Sequence, residues 1–269
     1  MLERPIITLT TDFGHRDPFV GIMKGVILEI NPKACIVDIS HEIAPHNIFE
    51  AAQVINMAYK YFPSTTLHVV VVDPQVGGMR KPLLVVTDDY YFIGPDNGVF
   101  TAVLENQHKS SIFKVIKIDS SHYYRSQKGS TFHGRDIFAP VAAWLSRGVE
   151  SFKFGEQIKD HVQISLPKVE AVKDSFEGEV VHIDSFGNAI TNIIYEALDE
   201  LSPEFTRKKF KVVYKDHKLD LANYYAETQD PELSVLINSS GLFELFTYHG
   251  KASEKYGIKI GDKVRITVI

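Results

Sequence analysis

At 269 residues, 44% of them hydrophobic, the chain can fill one large core or two small ones and is not a disordered tail. Its net charge of −5, from 34 acidic and 29 basic residues without a long block of either sign, makes neither nucleic acid nor an anionic membrane the expected partner and points to a small molecule. The only cysteine, Cys35, rules out an internal disulfide and a cysteine-based zinc cluster, and MLERPIITLT lacks the pattern of a signal peptide, so a cytoplasmic protein is expected.

In chain order, ITLTT (7–11) reads as a buried strand. It is followed by a helix over Phe19–Ile30, with Asp17 as N-cap, Pro18 at the first helical position, and Phe19, Ile22, Met23, Val26, Ile27 and Ile30 on one face. CIVDIS (35–40) is a second strand, and Asn47–Phe62 a second helix that opens on a capping box of Asn47 and Glu50. LHVVVV (67–72), LLVVT (83–87) and IFKVIKI (112–118) are further strands, and a third helix is expected from about Ile137 to Ser146. GPDNGVF (94–100) is a turn by composition. Strands alternating with helices predict an α/β N-terminal domain with a mostly parallel central sheet, over residues 1–168. Beyond a boundary near 167–174 the pattern changes to EGEVVHIDSFGNAITNI, KFKVVYKDHKLDL, LSVLINSSGLFELFTY and IKIGDKVRITVI. These short strands punctuated by Gly, Asn and Asp predict a smaller all-β, barrel-like C-terminal domain over 174–269.

Residues suited to chemistry gather where strands end. In TTDFGHRDP, Asp12 directly follows the first strand, the place where open α/β sheets bind ligands. The loop has neither GxGxxG nor GxxxxGK[ST], so it is not built for phosphate; a carboxylate there suits a ribose diol, or else Asp12 and Asp17 only cap and turn the connection. Asp73 ends the run of four valines, and Arg80, beyond Gly77 and Gly78, is able to fold back onto it, as a loop-stabilising pair or as part of a site. His133, in STFHGRDIFAP, stands just ahead of a helix, and Asn97 either makes its turn or borders the same crevice.

Together, TTDFGHRD, VVDPQVGGMR, GPDNG, STFHGRDIFAP, IDSFGNAITNI and INSSG resemble, in the same order, the S-adenosylmethionine hydroxide adenosyltransferases, hydrolase relatives of the fluorinating and chlorinating adenosyl enzymes. The resemblance runs from about residue 5 to the C-terminus. It implies hydrolysis of S-adenosyl-L-methionine (SAM) to adenosine and L-methionine by in-line attack of water or hydroxide on ribose C5′, with no cofactor and no metal. It also implies a homotrimer whose sites lie at subunit interfaces. By the same resemblance, Asp73, Arg80 and His133 form the catalytic set, Asp12 holds the ribose diol, and Asp17 helps bind the amino-acid moiety. Asp184 and Asn188 match positions near the methionine ammonium, Ser239 a substrate-contacting serine, Tyr225 an aromatic stacking on adenine, and Glu244 an acceptor near the adenine edge. Asp184 and Asn188 read equally as an Asx turn of a hairpin.

The halogenating members carry an aromatic where Asp73 stands and a halide-binding serine where Gly134 stands, which favours water over halide. LFTYHGKASEKYG, after Glu244, is bulkier than the family's version, and the adenine-edge contacts around Thr247 stay open. Two other classes fit parts of the sequence. HEIAPH (41–46) suggests a metal-dependent hydrolase, but its histidines are five apart with Pro45 between them, so it is not HExxH. A non-catalytic SAM or adenosine sensor would use the same carboxylates, and incubation with SAM separates it from an enzyme.

Overall fold

The structure, a computed structural model, describes residues 4–106, 112–126, 130–172, 175–201, 209–228 and 232–269. The chain forms two compact units, Met1–Ser165 and Leu166–Ile269.

The first unit is built from β1 (Ile6–Thr11), α1 (Phe19–Ile30), β2 (Cys35–Ser40), α2 (Ile48–Ala58), β3 (Leu67–Val71), β4 (Pro82–Val86), β5 (Tyr91–Pro95), α3 (Thr101–Asn106), β6 (Lys114–Ile118), α4 (Ala139–Ser146) and β7 (Gly155–Ile158). Its strands form one sheet in the order β2-β1-β3-β5-β4-β6-β7. The four valines after His68 explain the layering. Val69 and Val71 pack with residues of α1 and α4, whereas Val70 and Val72 pack with residues of α2 and α3, as the twofold period of a strand buried on both faces requires.

The sheet is mixed, not mostly parallel. β1–β2, β1–β3 and β3–β5 are parallel, while β4–β5, β4–β6 and β6–β7 are antiparallel. Only Thr87–Tyr90 separates β4 from β5, and a parallel pair needs a crossover of about a dozen residues. Thr87 closes that hairpin, its N–H donating to Tyr90 O (3.0 Å) and its hydroxyl accepting from Tyr90 N (2.9 Å). Gly94 and Pro95, expected in a turn, belong to β5.

α1 departs from expectation at its start and on its face. Pro18 itself is the N-cap, with φ −77° and no side-chain cap, so Asp17 lies outside the helix and does not cap it. The buried residues are Val20, Met23, Val26 and Ile27, while Phe19 (42%) and Ile22 (37%) are exposed. Phe19 turns instead toward Phe13 and Phe132, with ring centroids 5.7 and 5.4 Å away. At α2 the N-cap half of the box forms, Glu50 N donating to Asn47 Oδ1 (3.1 Å), but the reciprocal half does not: Asn47 N donates to Ala44 O, and Glu50 Oε2 accepts from Asn47 Nδ2 (3.1 Å) instead. The chain tightens into a 3-10 turn, Tyr59–Tyr61, before Phe62.

His68 lies inside this unit, its ring stacked on Phe92 at 5.2 Å and its Nδ1 2.8 Å from Thr8 Oγ1. Burial pushes its pKa from 6.5 down to about 3. The folded state therefore refuses a proton that the unfolded state accepts, so the stability this group contributes is present above pH 6.5 and is lost as pH falls toward about 3. A loss of about 2 kcal/mol by about pH 5 is expected. In His68→Phe the urea midpoint should vary less over that range; an unchanged pH dependence contradicts the assignment.

The second unit comprises β8 (Glu170–Val172), β9 (Ser175–Ile183), β10 (Ala189–Ile194), α5 (Leu198–Leu201), β11 (Phe210–Tyr214), β12 (His217–Leu219), β13 (Leu221–Ala222), β14 (Leu233–Ile237), β15 (Leu242–Thr247), α6 (Ala252–Tyr256) and β16 (Lys263–Val268). The strands follow the path β12-β11-β16-β9-β10-β15-β14-β13, with β8 on β9. All these pairs are antiparallel except β13–β14. The two ends of the path, β12 and β13, are separated in the chain by Asp220 alone, so the sheet rolls on itself into a barrel-like form around Val180, Val212, Tyr214, Val235, Phe243, Leu245 and Ile266. No helix among the described residues is long and apolar enough to cross a membrane.

Candidate functional site

β1 and β3 are parallel neighbours, with Thr11 opposite Val71, so the residues that follow them emerge at the same edge. A cavity of about 560 Å³ opens there, and Asp12, Asp73 and His133 all line it, with Phe13, Phe19 and Phe132 as apolar wall.

Asp73 and Arg80 are brought together by a tight loop, in which Val76 N donates to Asp73 O (3.2 Å) and Gly78 N to Gln75 O (3.0 Å). Gly77 is at φ +79°, and a Cβ there would stand 2.5 Å from Ser130 O, so only glycine fits. Arg80 Nε then donates to both oxygens of Asp73, at 3.0 and 2.9 Å, and Nη2 donates to Oδ2. The two side chains are 2% and 4% exposed, so the pair is desolvated and holds only because the fork satisfies the carboxylate. The guanidinium lies 5.3 Å from the centre of the Phe138 ring.

Arg80 Nη2 also lies 2.7 Å from His133 Nδ1. Arginine only donates, so Nδ1 accepts and the ring proton of neutral His133 sits on Nε2. The His133 pKa is held below its ordinary 6.5 by burial and then by the Arg80 charge, against the opposing pull of Asp73 and Asp136. Arg80 Nη1 is buried and bonds to nothing among the described residues. His133 stands at the mouth of a π-helical turn, Gly134–Phe138, that runs into α4; such turns recur at functional sites. Asp73 and His133 line the cavity, whereas Arg80, between them, is not among its lining residues.

Asp12 accepts from His46 N through Oδ2 (2.9 Å), and its Oδ1 has no partner among the described residues. Asp17 is exposed and does not line the cavity. Asn97 is buried and fully engaged, donating to Val72 O (2.8 Å) and accepting from Val99 N (3.2 Å), so it steadies the backbone just before Asp73. His46, Pro45, Val76 and the three phenylalanines line the cavity although the sequence reading assigns none of them to a site. HEIAPH held the signal for two of them.

The second unit has its own cavity, of about 650 Å³, lined by Asp184, Asn188, Tyr225 and Thr247 together with Phe186, Tyr248 and Lys251. Asp184 makes the Asx turn: Oδ1 accepts from Phe186 N (3.0 Å) and Asn188 N (2.8 Å), leaving Oδ2 with only a long contact, 3.4 Å, to Asn188 Nδ2. Gly187 closes that turn at φ +79°. Glu244 is 3% exposed and has both oxygens occupied, Oε1 by the Tyr225 hydroxyl (2.6 Å) and Oε2 by Asn238 Nδ2 (3.1 Å). Burial, and after it the bond to Glu244, raises the Tyr225 pKa strongly, so its hydroxyl stays protonated. Ser239 is exposed in the turn capped by Asn238 and does not line this cavity. Thr247 Oγ1, by contrast, is buried without a partner among the described residues. No three His, Cys, Asp or Glu side chains among the described residues are grouped to hold a metal ion.

Residues 7–155 match the family model for the SAM hydroxide adenosyltransferase N-terminal domain, and residues 178–265 that for its C-terminal domain. A curated (R)-S-adenosyl-L-methionine hydrolase of Methanocaldococcus jannaschii is 39% identical over 97% of this chain and 95% of its own length. A hydrolase of the same name from Thermus thermophilus is 30% identical, over 98% and 99%. A fluorinase of Actinopolyspora mzabensis is 26% identical, over 98% of each chain. Among solved structures, an uncharacterized conserved protein from Thermotoga maritima superposes with a TM-score of 0.88 at 35% identity, covering 97% of this chain and 99% of that one.

Proposed function

The chain belongs to the SAM hydroxide adenosyltransferase family, and from that premise we propose that it is an enzyme that hydrolyses SAM to adenosine and L-methionine, with Asp73, Arg80 and His133 holding the attacking oxygen behind ribose C5′. The observation that carries the site assignment is the 2.7 Å contact between Arg80 Nη2 and His133 Nδ1, made while the same guanidinium chelates Asp73.

The sulfonium leaves as a neutral thioether, so no acid is needed at sulfur. The C5′–S bond breaks with its electron pair going to methionine, and the C5′–O bond forms the 5′-hydroxyl of adenosine. The barrier lies in lining up and desolvating the oxygen. His133, with Nδ1 committed to Arg80 and a proton on Nε2, acts as a donor. With the unpartnered Nη1 of Arg80, it favours hydroxide over water as the bound nucleophile. Asp73 fixes the guanidinium and balances its charge. Attack of an anion on a sulfonium cancels charge, which a dry cavity favours.

Asp12 takes the ribose diol through its free Oδ1. In the second unit, Asp184 Oδ2 takes the methionine ammonium, and Asn188 holds that carboxylate. Tyr225 stacks on adenine, Glu244 acts through Tyr225, Ser239 and Asp17 contribute from the borders, and Asn97 acts by holding the backbone ahead of Asp73. Supporting this division, the catalytic set lies in the first unit and Asp184, Asn188 and Tyr225 line a cavity of the second. The reading includes a homotrimer in which the first unit of one subunit works with the second unit of the next, and a cytoplasmic location. Incubation with SAM should yield adenosine and methionine in equal amounts, unchanged by added chloride or fluoride. Intact SAM, or a 5′-halogenated nucleoside, contradicts it.

A further inference from the structure

The HEIAPH segment, unsuited to zinc, is tied at several points to the loop that carries Asp12. We infer that residues 38–50 form a positioning device for the Asp12 carboxylate, with the His41 side chain and the backbone N–H of His46 as its two points of hold. The inference rests on the reading of Asp12 as the ribose-diol acceptor.

A carboxylate at the end of a strand rotates freely unless something holds it, and a diol acceptor must present one defined oxygen. His46 supplies the first hold: its N–H donates to Asp12 Oδ2 at 2.9 Å, which leaves Oδ1 for substrate. His46 adopts φ +66°, a left-handed conformation uncommon for a residue other than glycine. Such backbone persists when its surroundings over-determine it, and here they do. Asn47 N donates to Ala44 O (2.9 Å), Ala44 N donates to Glu50 Oε2 (3.1 Å), and Glu50 N donates to Asn47 Oδ1 (3.1 Å). The Asn47 cap that starts α2, with Glu50 reaching back to Ala44, thus also fixes the turn that aims the His46 N–H.

The second hold is His41, whose side chain is fully buried. Its Nδ1 lies 2.8 Å from Thr11 Oγ1, and its carbonyl accepts from Gly14 N at 2.8 Å, so it grips the chain on both sides of Asp12. Thr11 Oγ1 also accepts from Phe13 N (3.2 Å), and a threonine hydroxyl that accepts there still has its own hydrogen for His41 Nδ1. His41 Nε2 lies 3.0 Å from Asp38 Oδ1, and Asp38 Oδ2 accepts from Lys24 of α1 at 2.6 Å. The approach to Asp38 does not have hydrogen-bond geometry, so the hold of His41 on the Asp12 loop rests on its Nδ1 and its carbonyl. His41 lines neither of the two cavities described above and is a positioning residue.

The test is a double-mutant cycle on KM for SAM and on kcat. Thr11→Val, nearly isosteric and lacking only the hydroxyl, should raise KM about fivefold with kcat within about twofold. In an Asp12→Ala background the same change should add nothing further to KM. His41→Ala should behave as Thr11→Val does, and His41→Asn, whose amide can replace Nδ1, should restore KM. A Thr11→Val factor that persists undiminished beside Asp12→Ala would show a loss unrelated to Asp12 and overturn the device while leaving the ribose assignment standing. If Asp12→Ala alone leaves KM unchanged, the ribose assignment fails first, and the device with it.

Discussion

Arg80→Lys is expected to lower kcat by about 10³-fold while KM for SAM moves by less than about threefold. Lysine keeps the charge, so the effect isolates the fork. Arg80 meets both oxygens of Asp73 and the Nδ1 of His133 at once, and still has Nη1 turned to no protein partner among the described residues. An ammonium on a flexible stem has three donors in a different geometry and cannot span these groups together. The truncation Arg80→Ala is less informative, because it strands a carboxylate that is 4% exposed, at a cost of about 3–5 kcal/mol in folding. Thermal melting alongside steady-state kinetics separates the two losses. A kcat within about tenfold of the wild type would mean the guanidinium only braces the loop.

His133→Ala should retain SAM binding and lose turnover by about 10²- to 10³-fold. The wild-type pH profile carries the sharper statement. Burial first, and then the Arg80 charge, hold His133 below its usual 6.5, so the neutral ring predominates across the physiological range. Protonation would add a hydrogen on Nδ1, where Arg80 already donates, and break that contact. Activity should therefore persist as pH falls past 6.5 and decline only at more acidic values, as the ring takes its proton. In His133→Ala the low residual rate should lack that decline. An acid limb centred at or above 6.5 in the wild type, or undiminished turnover in the variant, would remove the histidine from this role.

How much of this was readable beforehand depended on whether the controlling physics was local. The valines of β3 announce a strand buried on both faces, and Asn47 with Glu50 announces a helix start, because alternation and capping are properties of a few adjacent residues. Strand direction is not such a property. The run LLVVT looks the same in either orientation, and its antiparallel place follows from the Thr87–Tyr90 hairpin. The buried face of α1 departs from its apolar pattern because Phe19 is as apolar as any core residue, yet packs on Phe13 and Phe132 beside the cavity. At the site, motif order brought Asp73, Arg80 and His133 forward. It did not reveal that Asn97 and Glu244 spend their polar atoms on protein partners, or that Thr247 Oγ1 and Arg80 Nη1 do not. Those are matters of three-dimensional satisfaction. The role of HEIAPH was hidden for a related reason: its useful group at His46 is a backbone N–H, which no side-chain motif encodes.

Turnover of SAM in ¹⁸O-enriched water probes the central claim at the atom concerned. If Arg80 and His133 deliver a solvent-derived oxygen to ribose C5′, the label appears in the 5′-hydroxyl of adenosine, one atom per turnover, and methionine leaves unlabelled. Label in the amino-acid product, or cleavage that yields adenosine without it, would contradict attack at C5′ by water or hydroxide.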